Sequence, residues 1–212
     1  MANPSWTMTY DSLNTYVLQY LERSDQATIN AIPTFITLAE FEIATEIKTL
    51  GQLQIVESTM NSGSPSLAKP ARWRKTVSMN YTDALGNKNP LLLRKYEYLI
   101  NYAQNSTTTG APLYYSDTMW DWWYVSPTPD QAYAFEVLYY ERIAPLSSAN
   151  QTNWLTQNAP TAMLYGTLLQ AMPFLKNDQR QIFQQKYTEA MKSLKDEDIT
   201  RVGDRQAVSV DS

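Results

Sequence analysis

Cysteine and histidine are both absent from the 212 residues of this chain. Their absence excludes disulfides, thiol redox chemistry, Cys/His zinc sites and the Ser-His-Asp or Cys-His arrangements of nucleophilic enzymes. Glycine is scarce, with six residues, and no nucleotide-binding, nucleophile-elbow, zinc-protease or EF-hand motif occurs. Any remaining catalysis would have to use carboxylates, lysine or tyrosine. We therefore expect that the protein is not an enzyme and that it has no catalytic residue, no cofactor and no metal site.

Basic residues are too few and too dispersed to form a DNA-binding face. The net charge is −4, and residues 1–49 alone contain six acidic side chains against Arg23 and Lys48. Residues 143–175 contain no charge at all. Because phosphate contacts dominate the affinity of proteins for DNA, we expect no specific nucleic-acid binding.

Membrane segments are not indicated either. The first residues lack the basic and apolar regions of a secretory signal. Polar residues such as Asn150, Asn153 and Pro160 interrupt the uncharged segment, so no apolar run is long enough to cross a bilayer. The lack of cysteine fits assembly in a cytosol. We expect a protein that does not associate with membranes.

Two helices are predicted near the start of the chain. The first begins near Thr9 or Asp11, both good N-caps. The second begins around Pro33, a residue suited to the first helical position, and ends before Gly51. Its apolar face consists of residues at helical spacing: Ile32, Ile36, Ala39, Ile43 and Ile47. Three acidic residues are expected outside that face: Glu40, Glu42 and Glu46.

Residues 51–145 show the alternation that is typical of strands. In the strand 73–81, Val77 and Met79 are expected on one face and Thr76 on the other. The segment 84–87 predicts a hairpin turn, and 95–104 predicts a short inserted helix. The proline turn 126–130 joins two aromatic strands, 120–126 and 132–142, which we expect to pair.

After residue 145 the helical spacing returns. Helices are predicted over 152–158, 161–175 and 178–195. The fold class is therefore α+β: an antiparallel helical bundle of residues 1–50 and 146–197, with an antiparallel β domain, 51–145, inserted between its two halves. Residues 198–212 lack periodicity and are expected to form a flexible, extended C-terminal tail.

Aromatic residues are abundant, with 15 tyrosines and six tryptophans. Both types are enriched at protein interfaces. Tyr139 and Tyr140 are neighbours on one strand, so only one of them can face the core. The candidates for contacts with a neighbouring subunit are Trp120, Trp122, Trp123 and Tyr140.

An alternative interpretation of the same region is a carbohydrate-binding or carbohydrate-active site. Asp117, Asp121 and Glu136 lie near the tryptophans in sequence, and sugar sites combine acids with aromatic platforms. Alternation weighs against this alternative, because Trp120 and Trp122 project to the side opposite Asp121. Aromatic side chains on one strand face are more often core or interface than a sugar platform.

The chain also resembles a known protein family in six segments. They are TYDSLNTYVLQYL, IPTFITLAEFEIATEI, RWRKTVSMNY, GAPLYYS, VSPTPDQAYAFEVLYYERIAPLS and NWLTQNAPTAMLYGTLLQAMPFLKND. Together they cover most of residues 9–195. Their combination resembles the head-to-tail adaptor (connector) proteins of tailed bacteriophages, the group that includes tail tubular protein A.

This resemblance implies a structural virion protein, assembled in the cytoplasm of the host bacterium. Such adaptors form a ring, typically of twelve copies, between the portal and the tail. The expected partners are the portal protein, tail tube or nozzle proteins and further copies of the chain itself. DNA would pass through the channel during ejection without specific binding. Another kind of tail completion protein remains an alternative.

The tail offers a further hypothesis. At about 3.3 Å per residue, fourteen extended residues reach roughly 45 Å, far enough to insert between portal subunits. The apolar anchors of such a portal-docking tail would be Ile199, Val202, Val208 and Val210. A frayed end without a role is the competing interpretation.

Overall fold

The computed structural model describes residues 7–47, 52–105, 108–175 and 180–206, with side chains described as far as residue 197. Within these residues the fold is mixed α+β, as the sequence predicts, with six helices and seven strands. The helices are α1 (Tyr10–Leu21), α2 (Gln26–Glu46), α3 (Tyr96–Tyr102), α4 (Trp154–Asn158), α5 (Pro160–Leu175) and α6 (Arg180–Gln206). The strands are β1 (Leu53–Met60), β2 (Ser66–Ala68), β3 (Trp73–Thr82), β4 (Lys88–Leu93), β5 (Tyr114–Ser116), β6 (Trp122–Ser126) and β7 (Tyr133–Glu141).

The chain divides into two compact units. Met1–Gln52 together with Ile143–Ser212 form the first, called the helical unit because it contains α1, α2, α4, α5 and α6. Leu53–Arg142 form the second, called the sheet unit, which contains all seven strands and α3. The backbone therefore leaves the helical unit after α2 and returns to it before α4.

The seven strands form one sheet in the order β1-β7-β3-β4-β5-β6-β2. The prediction of a wholly antiparallel β domain is wrong, because β4 and β5 are parallel. Parallel neighbours need a crossover connection, and α3 lies within the segment that joins these two strands. The predicted pairing of the two aromatic strands is also wrong. Strand β7 uses both of its edges on β1 and β3, so β6 pairs with β5 and β2 instead.

The alternation predicted for β3 breaks in its middle. Its register against β7 shifts between Thr76 and Ser78, at a β-bulge or similar irregularity. As a result Thr76 is buried and Val77 is 46% exposed, the reverse of the predicted faces. After the shift Met79 and Tyr81 are both buried, so the predicted alternation holds for this end of the strand. The core of the sheet unit consists of Met60, Leu67, Met79, Tyr81, Leu91, Tyr115, Trp123, Val125, Tyr133, Phe135, Val137 and Tyr139.

The two N-terminal helices are held by side-chain caps. Thr9 caps α1, as predicted, in a capping box with Ser12. Helix α2 begins seven residues before the predicted start at Pro33, because the Asp25 carboxylate accepts the Thr28 backbone N–H (2.9 Å) and forms the N-cap. Pro33 lies inside α2 on its exposed side. Helix α2 ends at Glu46 with Ile47 as its C-cap, about four residues before the predicted end near Leu50. The predicted stop at Gly51 itself lies outside the described residues.

Helix α5 is the centre of the helical unit, in contact with α1, α2, α4 and α6. A Cβ on Gly166 would lie 3.2 Å from the Tyr187 ring and 3.5 Å from both Ala39 and Ile43. The missing side chain therefore permits the close approach of α2, α5 and α6. The predicted apolar face of α2 is fully buried here. Helix α6 buries four side chains at helical spacing against this core: Phe183, Tyr187, Met191 and Leu194.

The C-terminal helix is longer than predicted. Helix α6 continues to Gln206, so residues 198–206 are helical and the prediction of an extended tail from residue 198 is wrong for them. Extension of an existing helix adds one hydrogen bond per residue fixed, and no proline follows Pro173 to stop it. The rest of the predicted tail, residues 207–212, lies outside the described residues.

Candidate interaction surfaces and a buried carboxyl group

The structure separates the four aromatic residues that the sequence assigned to subunit contacts. Trp120, just before β6, is 66% exposed, and Trp122 is 48% exposed. Tyr140 is half-buried, whereas its neighbour Tyr139 is buried, as alternation requires. Trp123 is completely buried. Three of these four side chains are therefore available to another molecule.

Trp123 belongs to a hydrogen-bond network in the sheet core. Its indole N–H donates to the Thr76 hydroxyl oxygen at 2.8 Å, and the Trp73 indole N–H donates to the same oxygen at 3.1 Å. The single threonine thus satisfies two tryptophans from two strands. This arrangement corrects the predicted role of Trp123 as a subunit contact, because its side chain is used to join β3 to β6.

A lysine and an arginine, Lys69 and Arg142, extend the hydrogen-bond network to the surface, and Lys69 contacts Trp73 directly. Lys69 Nζ lies 3.5 Å from the centre of the Trp73 ring and donates to the backbone oxygens of Asp117 (3.1 Å) and Met119 (2.6 Å). Burial lowers the pKa of Lys69, an effect that the nearby carboxylates of Asp117 and Asp121 oppose.

Trp120 is the outermost ring next to this network, and it contacts both Trp73 and Arg142. Its ring meets the Trp73 ring edge to face at 6.4 Å, and the Arg142 guanidinium lies 4.9 Å from its centre. Trp120 is thus held in place on the protein while most of its ring faces solvent. A pre-positioned aromatic side chain loses little conformational freedom when a partner binds it.

The acids considered for a sugar site are not gathered into one constellation. Asp117 and Asp121 both act on Lys69, whereas Glu136 on β7 forms an ion pair with Lys88 at 2.7 Å. Across residues 7–47, 52–105, 108–175 and 180–206, no group of three or more acidic side chains is arranged to hold a metal ion. The geometry thus gives the carbohydrate alternative no specific support.

A second exposed aromatic surface lies where α3 covers the parallel strands, and sequence reasoning missed it. The Tyr114 ring contacts the rings of Tyr98 (5.2 Å) and Tyr102 (4.9 Å), and the Arg94 guanidinium lies 5.7 Å from Tyr98 and 5.8 Å from Tyr114. Leu92 pairs with Tyr114 across the strands and is 50% exposed. We call these residues the tyrosine surface: Leu92, Arg94, Tyr98, Tyr102 and Tyr114. The spacing of Tyr98 and Tyr102 on one helix face was the available signal.

The proposed portal-docking residues are only partly within the described structure. Ile199 and Val202 lie in the last turns of α6. Val208 and Val210 lie outside the described residues. The helical conformation at Ile199 and Val202 shortens the reach of this segment, because a helix advances about 1.5 Å per residue where an extended chain advances about 3.3 Å.

Glu40 is a buried acid that the sequence placed outside the apolar face of α2. It is only 6% exposed, and its Oε1 accepts a hydrogen bond from Asn153 Nδ2 at 2.6 Å. The Leu146 backbone N–H donates to both carboxyl oxygens, at 3.1 and 3.2 Å. Asn153 in turn accepts the N–H groups of Leu155 and Thr156 as the N-cap of α4. Glu40 therefore connects α2 to the segment that returns from β7 and to the start of α4.

The electrostatics of Glu40 follow from this burial. Desolvation raises the pKa of its carboxyl group from 4.5 to about 7, although the hydrogen bonds from Leu146 and Asn153 act in the opposite direction. The folded protein therefore holds this proton more tightly than the unfolded chain does. The contribution of Glu40 to the free energy of unfolding is therefore most favourable below the unfolded pKa of 4.5, and it falls as the pH rises towards 7.

No helix in the described part of the chain combines the length and the apolar character needed to cross a membrane. Comparison with curated proteins gives no match. The family model of the SU10 adaptor protein matches residues 8–209, nearly the whole chain. This match assigns the chain to the structural adaptor proteins of bacteriophages, which are components of the virion. The chain is a member of the SU10 adaptor protein family. The narrower resemblance to tail tubular protein A stays a prediction.

The shared threonine gives the first prediction. Thr76→Val removes the acceptor of two indole N–H groups, one of them fully buried, and should lower the free energy of unfolding of the sheet unit by about 2–3 kcal/mol. Thr76→Ser keeps the oxygen and should lose only about 1 kcal/mol, for the missing methyl group. Urea unfolding measures both variants. Equal losses would show that the hydroxyl does not stabilise the network.

The second prediction concerns pH. Between pH 4.5 and 7 the Glu40 carboxyl group should cost the folded state up to roughly 3 kcal/mol as it ionises, since its pKa moves from 4.5 to about 7. Glu40→Gln should therefore gain stability relative to the unmodified protein over this range. Urea unfolding at pH 4.5, 6 and 8 tests this, with Glu42→Gln, at an exposed position of the same helix, as the control. A constant difference between Glu40→Gln and the unmodified protein would contradict the prediction.

Proposed function

We propose that this adaptor forms a closed ring between the portal and the tail and continues the DNA channel between them. The family match over residues 8–209 is the observation on which the proposal rests. The narrower resemblance noted from the sequence supports a ring of about twelve copies, a cyclic symmetry in which every subunit makes the same two contacts. In this proposal the five helices of the helical unit form an antiparallel bundle, which fits the contacts of α5 with its four neighbours.

The surface composition of both units supports assembly with other copies. A ring requires heterologous contacts, in which one surface of each subunit meets a different surface of the next. Permanent interfaces of this kind bury roughly 2,000–5,000 Å² and are partly apolar. Both units expose large apolar side chains that an interface could bury: Leu38, Phe41, Phe174 and Ile182 in the helical unit and Leu92, Leu113, Trp120 and Trp122 in the sheet unit.

The partners follow from the place of such a ring. One rim would bind the portal protein and the other would bind tail tube or nozzle proteins. The acidic excess of residues 1–49 would suit a channel wall that repels DNA and lets it pass during ejection. The C-terminal end of α6 and the residues after it would dock on the portal, with the apolar residues Ile199, Val202, Val208 and Val210 as its anchors.

The test is reconstitution with isolated portal particles. The full-length protein should be monomeric or weakly associated alone, and should form a stable complex when portal is added. Truncation after Gln206, and more strongly after Asp198, should weaken portal binding by about tenfold or more, since apolar anchors are lost. Sedimentation and light scattering measure the complex.

The control for the truncations is thermal stability. Both shortened proteins should melt within about 3 °C of the full chain, because Leu194 is the last buried residue among the described side chains of α6. A large fall in melting temperature would assign the C-terminal residues to the core. Absence of any complex between full-length protein and intact portal would refute the proposed function.

A further inference from the structure

An exposed apolar face of the helical unit lies on α2. On α2, Phe41 is 74% exposed and Leu38 is 48% exposed, one turn apart. Thr34, Thr37 and Thr45 are exposed on the same side, so this face of a 21-residue helix has no charge. Glu42 borders it, four residues after Leu38. We call the two apolar residues together with this bordering acid the α2 face: Leu38, Phe41 and Glu42.

The acid at the border of the α2 face has no cationic partner among the described side chains. Glu42 accepts a hydrogen bond from the Gln170 side chain. Within the residues that the structure describes it forms no ion pair, unlike Glu46, which pairs with Lys195 at 2.9 Å. An exposed carboxylate beside an exposed phenylalanine presents a mixed apolar and negative surface.

The tyrosine surface has the complementary character. Its three rings contact one another, and Tyr98 and Tyr102 are 42% and 46% exposed. Arg94 lies against two of the rings and forms no ion pair with any carboxylate in the described ranges. One guanidinium nitrogen of Arg94, Nη1, donates to the Leu93 carbonyl oxygen at 3.1 Å. An arginine carries five N–H donors, so a guanidinium that lies beside tyrosine rings and uses one of them is a typical binding group for a partner's carboxylate.

We propose that the α2 face of one copy docks on the tyrosine surface of the next copy, with Glu42 pairing with Arg94 across the contact. The inference rests on the proposed ring and names one of its subunit interfaces. Phe41 packs among the rings of Tyr98 and Tyr102, and the ion pair fixes the orientation. Because the two surfaces differ, each copy uses one towards each neighbour, as a heterologous ring requires.

The natural absence of cysteine makes a direct test possible. Two single variants, Phe41→Cys and Tyr102→Cys, are made in the full-length protein, one with a larger tag so that the mixed product has its own mass. Mixing them at about 100 μM under mild oxidation traps contacts that last only briefly. The control mixes Phe41→Cys with Leu85→Cys, a residue 87% exposed in the β3–β4 turn of the same sheet unit.

The expected result is a mixed disulfide dimer from Phe41→Cys with Tyr102→Cys, at a yield about tenfold or more above the control pair. Each variant oxidised alone should give no more homodimer than the control gives mixed dimer. A mixed yield equal to the control overturns the inference. So does preferential Phe41–Phe41 crosslinking, which would indicate an isologous contact.

Charge reversal provides the second measurement. Arg94→Glu in the Tyr102→Cys partner, or Glu42→Arg in the Phe41→Cys partner, should each lower the crosslink yield about tenfold, because like charges then oppose each other. The two reversals together should restore it. Equal losses without restoration would overturn the pairing. Portal reconstitution remains the test of the ring, so a failed crosslink with intact portal binding would refute this interface alone.

Discussion

The chain passes out of the helical unit after α2 and must return to it before α4, and Glu40 fixes that return. Its carboxyl group accepts the Leu146 N–H and the Asn153 amide, and Asn153 caps α4. These contacts place the returning segment on α2 and start the helices that complete the core. A buried carboxyl group is a costly way to make this connection, since burial disfavours its charged form. The gain is that two donors on the returning segment, one backbone N–H and one side-chain amide, are satisfied together.

In the sheet unit, too, one buried acceptor serves more than one donor. One threonine oxygen accepts two tryptophan N–H groups, and Lys69 and Arg142 lie against the outer rings of the same network. The surface aromatics are thereby held rigid from beneath. Rigid aromatic and arginine side chains suit an adaptor, whose contacts must form without a large loss of conformational entropy. The buried hydrogen bonds and the exposed ring of Trp120 are thus connected through Trp73.

Helical periodicity and strand alternation predicted the α+β class and most elements from the sequence. The buried face of α2 and the opposite environments of Tyr139 and Tyr140 follow from spacing alone. The misses have identifiable causes. Asp25 is a stronger helix start than Pro33, and the register shift in β3 exchanges Thr76 for Val77. Burial of Glu40 depends on donors more than a hundred residues away, which no local pattern shows.

The same limit applies to the candidate surfaces. The sequence proposed Trp120, Trp122 and Trp123 alike as contact residues. The first two are exposed, whereas Trp123 lies in the core. The tyrosine surface was missed because it is assembled from α3 and two parallel strands whose pairing depends on the crossover. Residue type thus indicates candidate contact residues, whereas the topology decides which of their side chains are exposed.

The central claim is that this chain is a ring subunit between portal and tail. Electron microscopy of purified virions, with the helical and sheet units fitted separately into the density, tests it most directly. The account predicts repeated copies of both units, about twelve around the axis, in a collar directly below the portal. Density for the chain at a single off-axis position, or only at the distal end of the tail, would contradict it.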